Sequence, residues 1–401
     1  MENFAINLKY SKKQYTKKHY ALVYFLSFIT LGLSSATLGP MVPKLAERIG
    51  STISAVSFLI SIKSLGYFLG TFRGGKLFDR YPGHRILVIC IFLAVALMVL
   101  MPIMPSLTFL ALITCLLGIC EGIIDVGANL LIFWKFKHNV APYLNTLHFC
   151  FGLGSLISPL IIANLINMSE SVKVIYWTIS LLFLPSIVGM FLLPSPEIQL
   201  LSKNTSVNQN NHASFLIIII LILFLYVGAE ISYGNWIYTY SLKTSLASSV
   251  SAAYLTSVYW GSFTFGRLLG IFLSKEINPR TILFSNLIGS SVSLVLITLF
   301  PEDKSFLWIG TIAFGIFMAS TFPTLLIIAE RQLNISGSLT GLLMTGAGLG
   351  GITFPFFLSL LYNSKGPMII PSTLFIVMSI TVILFLLLTV LSSKKKSQEI
   401  I

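Results

Sequence analysis

Three polar residues inside one long apolar stretch are the most chemically informative feature of this sequence. Glu121, Asp125 and Asn129 follow one another at intervals of four within the stretch 116–137, so on a helix they form one stripe. A carboxylate in hydrocarbon costs about 2.5–3.5 kcal/mol on insertion scales, and such groups therefore face a protein interior or a water-filled path. The stripe indicates binding and release of a proton or a cation; a polar contact that only locks helix packing is the alternative.

Three further ionisable side chains, Lys63, His148 and Glu230, lie deep in other apolar stretches. Two charged carboxylates one helical turn apart repel each other, so one of the acids in the stripe is expected to be protonated or compensated. Lys63 is the natural compensator, because an unpaired buried ammonium is as costly as an unpaired acid; a role as ligand for an anionic substrate is the less favoured alternative. His148 has the chemistry to donate to a hydroxyl group or to relay a proton, and the alternative is a satisfied core histidine.

Amide, carboxylate and aromatic side chains in these stretches are of the kind that sugar-binding sites use. Amides and carboxylates bind hydroxyl groups, and an aromatic ring stacks on the C–H face of a sugar. The candidates are Asn129, Asn145, Glu230, Asn235 and Trp236. The sequence contains no His-Glu-x-x-His pair, Gly-x-Ser-x-Gly elbow or P-loop, and we therefore expect no enzyme, no metal site and no cofactor.

The composition is that of a polytopic membrane protein. Of the 401 residues, 55% are hydrophobic and 10% are charged, whereas soluble domains carry about 25% charged residues. The net charge of +13 comes from short clusters between apolar stretches, which is typical of membrane anchoring and not of nucleic-acid binding. The four cysteines lie inside apolar stretches and indicate neither a disulfide framework nor a zinc site.

Twelve apolar stretches are long enough to cross a bilayer as helices. They cover approximately 20–43, 52–75, 84–104, 107–134, 140–166, 174–193, 214–240, 250–274, 280–300, 305–330, 336–362 and 367–391. Nineteen of the 26 lysines and arginines fall on the side of the two termini, six fall on the other side, and Lys63 lies within a span. Because cytoplasmic loops carry the excess of Lys and Arg, both termini are expected to be cytoplasmic.

The two halves of the chain resemble each other. The segment 61–76 aligns with 257–272, and the segment 152–159 aligns with 348–355, both at an offset of 196 residues (152 to 348). Gly118 aligns with Gly315 at an offset that is one residue longer. Two parallel repeats with a site between them are the plan of many secondary transporters. We therefore expect an all-α membrane protein of two pseudo-symmetric six-helix bundles, at 1–193 and 214–401, joined by a cytoplasmic linker at 194–213.

The loop between the second and third spans resembles the signature loop of the major facilitator superfamily. Its residues Gly75-Lys-Leu-Phe-Asp79-Arg80-Tyr-Pro-Gly83-His-Arg85 are similar to the pattern Gly-x-Leu-x-Asp-Arg-x-Gly-Arg-Arg, with one extra residue before Gly83 and a histidine in place of a basic residue. The resemblance implies the major facilitator fold and a gate latch between the halves. Arg267 stands at the related place in the second half, and we expect it to be a structural or gating residue.

A narrower resemblance concerns the fucose:proton symporters and their relatives, the sodium-dependent glucose transporters. Asp125-Val-Gly-Ala-Asn129 is similar to Glu-Thr-Ala-Ala-Asn in span four of the fucose group, and Tyr226-Val-Gly-Ala-Glu230-Ile-Ser-Tyr-Gly-Asn-Trp236 is similar to its span seven. The segment 147–159, with Ile124-Asp125, resembles the glucose group more closely. This implies sugar uptake coupled to a cation, with Asp125 in place of the glutamate of the fucose group.

The favoured function is symport of a hexose, such as glucose or fucose, with H⁺ or Na⁺ by alternating access. Asp125 is the predicted coupling residue, and its carboxylate suits either a proton or Na⁺. A facilitator that exports a drug, lipid or other metabolite by proton antiport is the alternative. We expect a multi-pass protein of the cell membrane, of the bacterial inner-membrane type, that contacts lipids and acts as a monomer without nucleic acid.

Overall fold

The part of the chain that the computed structural model describes is helical and contains no β-strand. It comprises residues 16–136, 141–168, 171–196, 213–330 and 337–398, and most of the predicted linker 194–213 lies outside it. In hydrocarbon a backbone N–H or C=O group has no water to bind, and an α-helix satisfies these groups within one segment. The apolar stretches therefore fold as helices throughout.

The helices run in chain order from one end of the bundle to the other and back. Those of the first half are α1 (Lys17–Ser35), α2 (Leu38–Arg48), α3 (Ile53–Phe78), α4 (Gly83–Leu100), α5 (Leu107–Phe136), α6 (Ala141–Met168), α7 (Val172–Leu181) and α8 (Leu184–Leu192). Those of the second half are α9 (Ala213–Lys243), α10 (Ser249–Glu276), α11 (Pro279–Leu299), α12 (Lys304–Ala319), α13 (Thr321–Glu330), α14 (Gly337–Lys365) and α15 (Ile369–Gln398).

When α1 with α2, α7 with α8 and α12 with α13 are each taken as one span, these helices cover the twelve predicted spans. Within the described residues, ten segments are apolar and long enough to cross a membrane, and α7 with α8 and α12 with α13 each count as one of them. The first span is the pair α1 and α2, which bends by 43° at its break. The eighth, α10, is 28 residues long but is less apolar because it carries several Ser and Thr residues and Arg267. The predicted all-α membrane fold is confirmed.

Glycine residues let α3 and α5 approach each other more closely than other residues would allow. A methyl group built on Gly118 of α5 would lie 2.2 Å from the carbonyl oxygen of Lys63, and one on Gly66 of α3 would lie 2.1 Å from the carbonyl oxygen of Cys115. The two backbones are therefore in direct contact. This contact fixes the register at which the polar residues of α3 face the acidic stripe of α5.

The internal repeat predicted from the sequence is present in these helix contacts. A methyl group on Gly118 would meet the carbonyl oxygen of Lys63 and the amide nitrogen of Tyr67. In the second half, a methyl group on Gly315 would meet the carbonyl oxygen of Tyr259 and the amide nitrogen of Phe263. Each of these second-half partners stands 196 residues after its counterpart, so α10 and α12 repeat the packing of α3 and α5.

The two halves meet at the end of the bundle where the first span finishes. The Ser54 hydroxyl of α3 donates to the carbonyl oxygen of Ser359 of α14 at 2.7 Å, and the Ser359 hydroxyl returns a bond to the Ser54 carbonyl. The Ser257 hydroxyl of α10 donates to the Leu156 carbonyl of α6 at 3.1 Å. The halves are thus in contact at the end opposite the amino terminus of α1.

Candidate functional site

A buried ion pair joins three helices of the first half. Lys63 Nζ of α3 lies 2.9 Å from Glu121 Oε1 of α5 and also donates to the backbone carbonyl of Ser34 of α1 at 3.0 Å. The Ser34 hydroxyl donates to the same Glu121 oxygen at 2.5 Å. The side chains of Lys63 and Glu121 are 10% and 5% exposed, so this charge pair is shielded from solvent.

Asp125, one turn along α5, has a different environment. The Tyr67 hydroxyl of α3 donates to its Oδ2, and the Asn129 amide donates to its Oδ1 at 3.0 Å and to its backbone carbonyl at 2.9 Å. Both partners are neutral, and the Asp125 residue is partly exposed. Asp125 is thus held in place by hydrogen bonds while the structure gives it no salt bridge within the described residues.

The arrangement follows from helical spacing on both helices. Lys63 and Tyr67 are four residues apart on α3, and Glu121 and Asp125 are four residues apart on α5, so each pair lies on one face. The glycine contacts between the helices bring the two faces together in register. Ser34 and Tyr67 did not emerge from the sequence as candidates; the signal for Tyr67 was its position one turn after Lys63.

The second half contains a polar group around Glu230 of α9. The Tyr259 hydroxyl of α10 donates to the backbone carbonyl of Glu230 at 3.2 Å, and the Tyr226 hydroxyl donates to the Met318 carbonyl at 2.8 Å. Arg267 of α10 lies over the ring of Phe263 at 4.6 Å. Its positive charge acts electrostatically on Glu230. The two charges are of opposite sign and attract each other, but among the described residues they form no salt bridge.

His148 and Asn145 of α6 lie on exposed positions. The ring of His148 makes an edge contact with Phe28 of α1 at 5.6 Å between centroids, and the charge of Arg267 acts on it across the two halves. One turn further along α6, a methyl group on Gly152 would collide with Thr264 of α10 at 2.1 Å. His148 therefore lies one turn away from a close contact between α6 and α10, which belong to different halves.

Asn235 lies in the contact between the halves, and its neighbour Trp236 packs within the second half. The Asn235 amide donates to the Ile231 carbonyl of its own helix at 2.9 Å. A methyl group on Gly39 of α2 would lie 2.7 Å from the Asn235 Cα atom. The Trp236 ring is buried and packs 5.1 Å from that of Tyr362. Both residues are placed where the bundle is closed.

The predicted gate loop connects α3 to α4. Gly75 lies in the last turns of α3, Asp79 caps its carboxyl end, and Gly83 begins α4. Asp79, Arg80 and Arg85 are exposed.

The histidine that departs from the family pattern in this loop is buried. His84 Nε2 lies 2.9 Å from the Tyr24 hydroxyl of α1, and its Nδ1 lies 2.9 Å from the Leu193 carbonyl at the end of α8. His84 therefore connects α4 to the first span and to the end of the sixth, a role that the motif alone did not reveal.

The described residues contain no cluster of three or more His, Cys, Asp or Glu side chains suited to a metal ion. What they contain is a bundle of membrane-spanning helices with ionisable groups buried between its helices and beside the junction of its halves. This defines an integral membrane protein of the transporter class.

Comparison with known proteins gives the family. The model of the Major Facilitator Superfamily matches residues 24–355, and the chain belongs to this family of transporters. It is 30% identical over 372 residues to human sodium-dependent glucose transporter 1, covering 84% of this chain and 72% of that protein. It is 28% identical to mouse sodium-dependent glucose transporter 1A, covering 84% and 88%. The resemblance found in the sequence is confirmed.

The fold is also that of solved transporters. The structure superposes on the crystal structure of a D-xylose-proton symporter with a TM-score of 0.80 at 13% identity, covering 92% of this chain and 97% of the other. A nucleoside transporter gives a TM-score of 0.74 at the same identity. These likenesses establish the architecture, and the family is one of transporters, not of enzymes.

Proposed function

We propose that this chain is a symporter that moves a neutral sugar together with one H⁺ or Na⁺ by alternating access. The sugar is supported by the names of the relatives, sodium-dependent glucose transporters of human and mouse. The coupling to a cation is supported by the charges inside the bundle. The exposed polar side chains of α6 near the junction of the halves, His148 and Asn145, are of a kind that binds hydroxyl groups.

The charges of the interior carry this proposal. In the described residues, three carboxylates lie deep between the spans, and two cationic side chains accompany them. Lys63 is bound to Glu121, and the charge of Arg267 acts on Glu230. Asp125 is left with the neutral Tyr67 and Asn129. A charged Asp125 is therefore one negative charge in excess, and a proton or a sodium ion is the partner that neutralises it.

Neutralisation of Asp125 would favour movement of the halves. A charged carboxylate is costly in a space closed to water. When it is neutralised, the halves change between the two open states at a lower free-energy cost. The halves are in contact at the end opposite the amino terminus of α1. With the cytoplasmic termini that the lysines and arginines favour, this state is closed to the outside.

The substrate site that we propose lies between α5, α6 and α10. His148 and Asn145 are exposed beside the junction. The indole N–H of Trp260 is buried and has no hydrogen-bond partner in the described structure, and its ring makes an edge contact with Phe151 of α6 at 6.5 Å. A buried donor without a partner is costly, and a sugar hydroxyl would accept from it.

The test is uptake of labelled hexoses into proteoliposomes with an imposed Na⁺ or H⁺ gradient. We expect concentrative uptake that one of the two gradients drives. Asp125→Asn should abolish the gradient-driven accumulation yet retain sugar exchange at equal concentrations, because the amide resembles the neutralised carboxyl. Glu276→Gln, which alters an exposed carboxylate at the end of α10, is the matched control and should accumulate sugar as the wild type does.

Two results would contradict the proposal. Sugar uptake that neither gradient drives, measured with protein that elutes as a single species in size-exclusion chromatography, would exclude symport. Export of lipophilic compounds driven by a proton gradient, without any sugar uptake, would establish the antiport alternative.

A further inference from the structure

The first span is broken beside the Lys63–Glu121 pair. Helix α1 ends at Ser35, α2 begins at Leu38, and the two axes differ by 43°. The carbonyl of Ser34 lies at the carboxyl end of α1, where unsatisfied carbonyls give a helix a partial negative charge. In membrane transporters such half-helix ends and unwound carbonyls coordinate Na⁺. Here the Ser34 carbonyl accepts from the backbone N–H of Thr37 at 3.3 Å and, at the shorter distance of 3.0 Å, from the ammonium of Lys63.

The oxygens around this ammonium are those that a small monovalent cation binds. Glu121 Oε1 lies 2.9 Å from Lys63 Nζ, the Ser34 carbonyl oxygen lies at 3.0 Å, and the Ser34 hydroxyl shares the same carboxylate oxygen. The carboxylate and carbonyl oxygens come from two different helices and meet at the ammonium, and the Ser34 hydroxyl holds the carboxylate in place. The ammonium supplies the positive charge there, attached to the chain through α3.

The internal repeat shows that the fold does not require a cation at this point. Positions 230 and 259 stand 196 residues after Ser34 and Lys63, and the Tyr259 hydroxyl donates to the Glu230 carbonyl at 3.2 Å. The same backbone carbonyl is thus satisfied by a neutral hydroxyl in the second half. Met318 stands at the position related to Glu121, by the offset that relates Gly118 to Gly315. The charge of Lys63 therefore serves to neutralise the carboxylate of Glu121 and is not needed for the packing of the helices.

We propose that the break in the first span is a monovalent-cation site whose cation is the side chain of Lys63. Glu121 is permanently occupied by this tethered charge, which leaves Asp125 as the carboxylate that exchanges an ion with the solution. Shortening Lys63 opens the site to free Na⁺. The consequence for coupling rests on the proposed function, whereas the cation site itself is tested by binding, so each can fail without the other.

The experiment measures the unfolding midpoint of purified protein in NaCl and in choline chloride at equal ionic strength. All variants carry Asp125→Asn, so that this carboxylate does not contribute. The Lys63→Ala substitution leaves room for an ion. The unfolding midpoint of this variant should rise by a constant increment with each tenfold increase in Na⁺ concentration above the dissociation constant. The parent with Lys63 intact should show no difference between Na⁺ and choline.

Two controls identify the site. Lys63→Met removes the charge but fills the space, and it should respond to Na⁺ much less than Lys63→Ala. Adding Glu121→Gln to Lys63→Ala should abolish the response. A Lys63→Ala protein that is folded and equally stable in Na⁺ and choline overturns the proposal. So does a Lys63→Ala protein that fails to fold in both salts while Lys63→Met with Glu121→Gln folds.

Discussion

Replacing Lys63 with Met, in a buffer without Na⁺, should destabilise the protein by about 3–5 kcal/mol, because it leaves the carboxylate of Glu121 buried without its partner. Methionine retains most of the volume of the lysine stem, so the contact between α3 and α5 should change little. Glu121→Gln should have a similar effect, since it leaves the ammonium unpaired. The double variant removes both charges and should be more stable than either single variant.

The geometry of the pair sets this magnitude. At 2.9 Å between Lys63 Nζ and Glu121 Oε1, the Coulomb attraction is about 6 kcal/mol at an effective dielectric constant of ~20. Both side chains are at most 10% exposed, so solvent screens this attraction little. Desolvation of the two ions offsets much of the attraction, which is why the net value of a pair is small although the loss of one partner is costly.

Equilibrium unfolding in detergent micelles, carried out on the wild type, both single variants and the double variant, measures the coupling energy. We expect it to reach about 3 kcal/mol or more, the upper end of what neighbouring residues show. The control cycle uses Lys304→Met and Glu302→Gln, two exposed charges at the start of α12, which should change stability by less than about 0.5 kcal/mol each. Additive losses at Lys63 and Glu121 would refute the reasoning.

Three further predictions each rest on one contact between helices of the structure. Tyr67→Phe removes a hydrogen bond to a carboxylate worth about 1.5–3 kcal/mol, and the ion concentration that gives half-maximal uptake should change about tenfold or more. Gly118→Ala should reduce the yield of folded protein, because its methyl group would lie 2.2 Å from a carbonyl oxygen of α3; Gly75→Ala, whose nearest contact would be 3.9 Å away, should not. Cysteines at Ser54 and Ser359, whose hydroxyl oxygens lie 3.1 Å apart, should cross-link under oxidation in a protein without its native cysteines and stop uptake until a reductant is added.

Much of the architecture could be predicted from the sequence, because hydrocarbon permits few alternatives. A long apolar stretch must form a helix there, and the repeat of glycines at one offset indicated two related halves. The least apolar span, α10, was still recognisable from its length and from its match to α3. The break between α1 and α2 was not predicted, although Gly39, Pro40 and Pro43 directly follow it and proline, which lacks the backbone N–H, kinks or breaks a helix.

The site was predictable on α5 and less so elsewhere. The intervals between Glu121, Asp125 and Asn129 fix one face of a helix, but they do not say which acid Lys63 approaches. That choice depends on the register of α3 against α5, which is set by backbone contacts at Gly66 and Gly118. Serine and tyrosine are common in membrane helices, so Ser34 gave no signal, and the position of Tyr67 one turn after Lys63 gained its meaning only when the helices were seen together.

The two halves use the same backbone contact with different charges, and this difference bears on how the carrier couples. In the first half, the carbonyl of Ser34 binds an ammonium that a carboxylate of α5 also holds. In the second half, the carbonyl of Glu230 binds a neutral tyrosine hydroxyl, and the acid stands on the same residue as the carbonyl. The first half therefore holds one fixed cation at Glu121 and one carboxylate, Asp125, with neutral partners only. Moving the lysine away from Glu121 should therefore change which acid exchanges the ion, and not only how stable the bundle is.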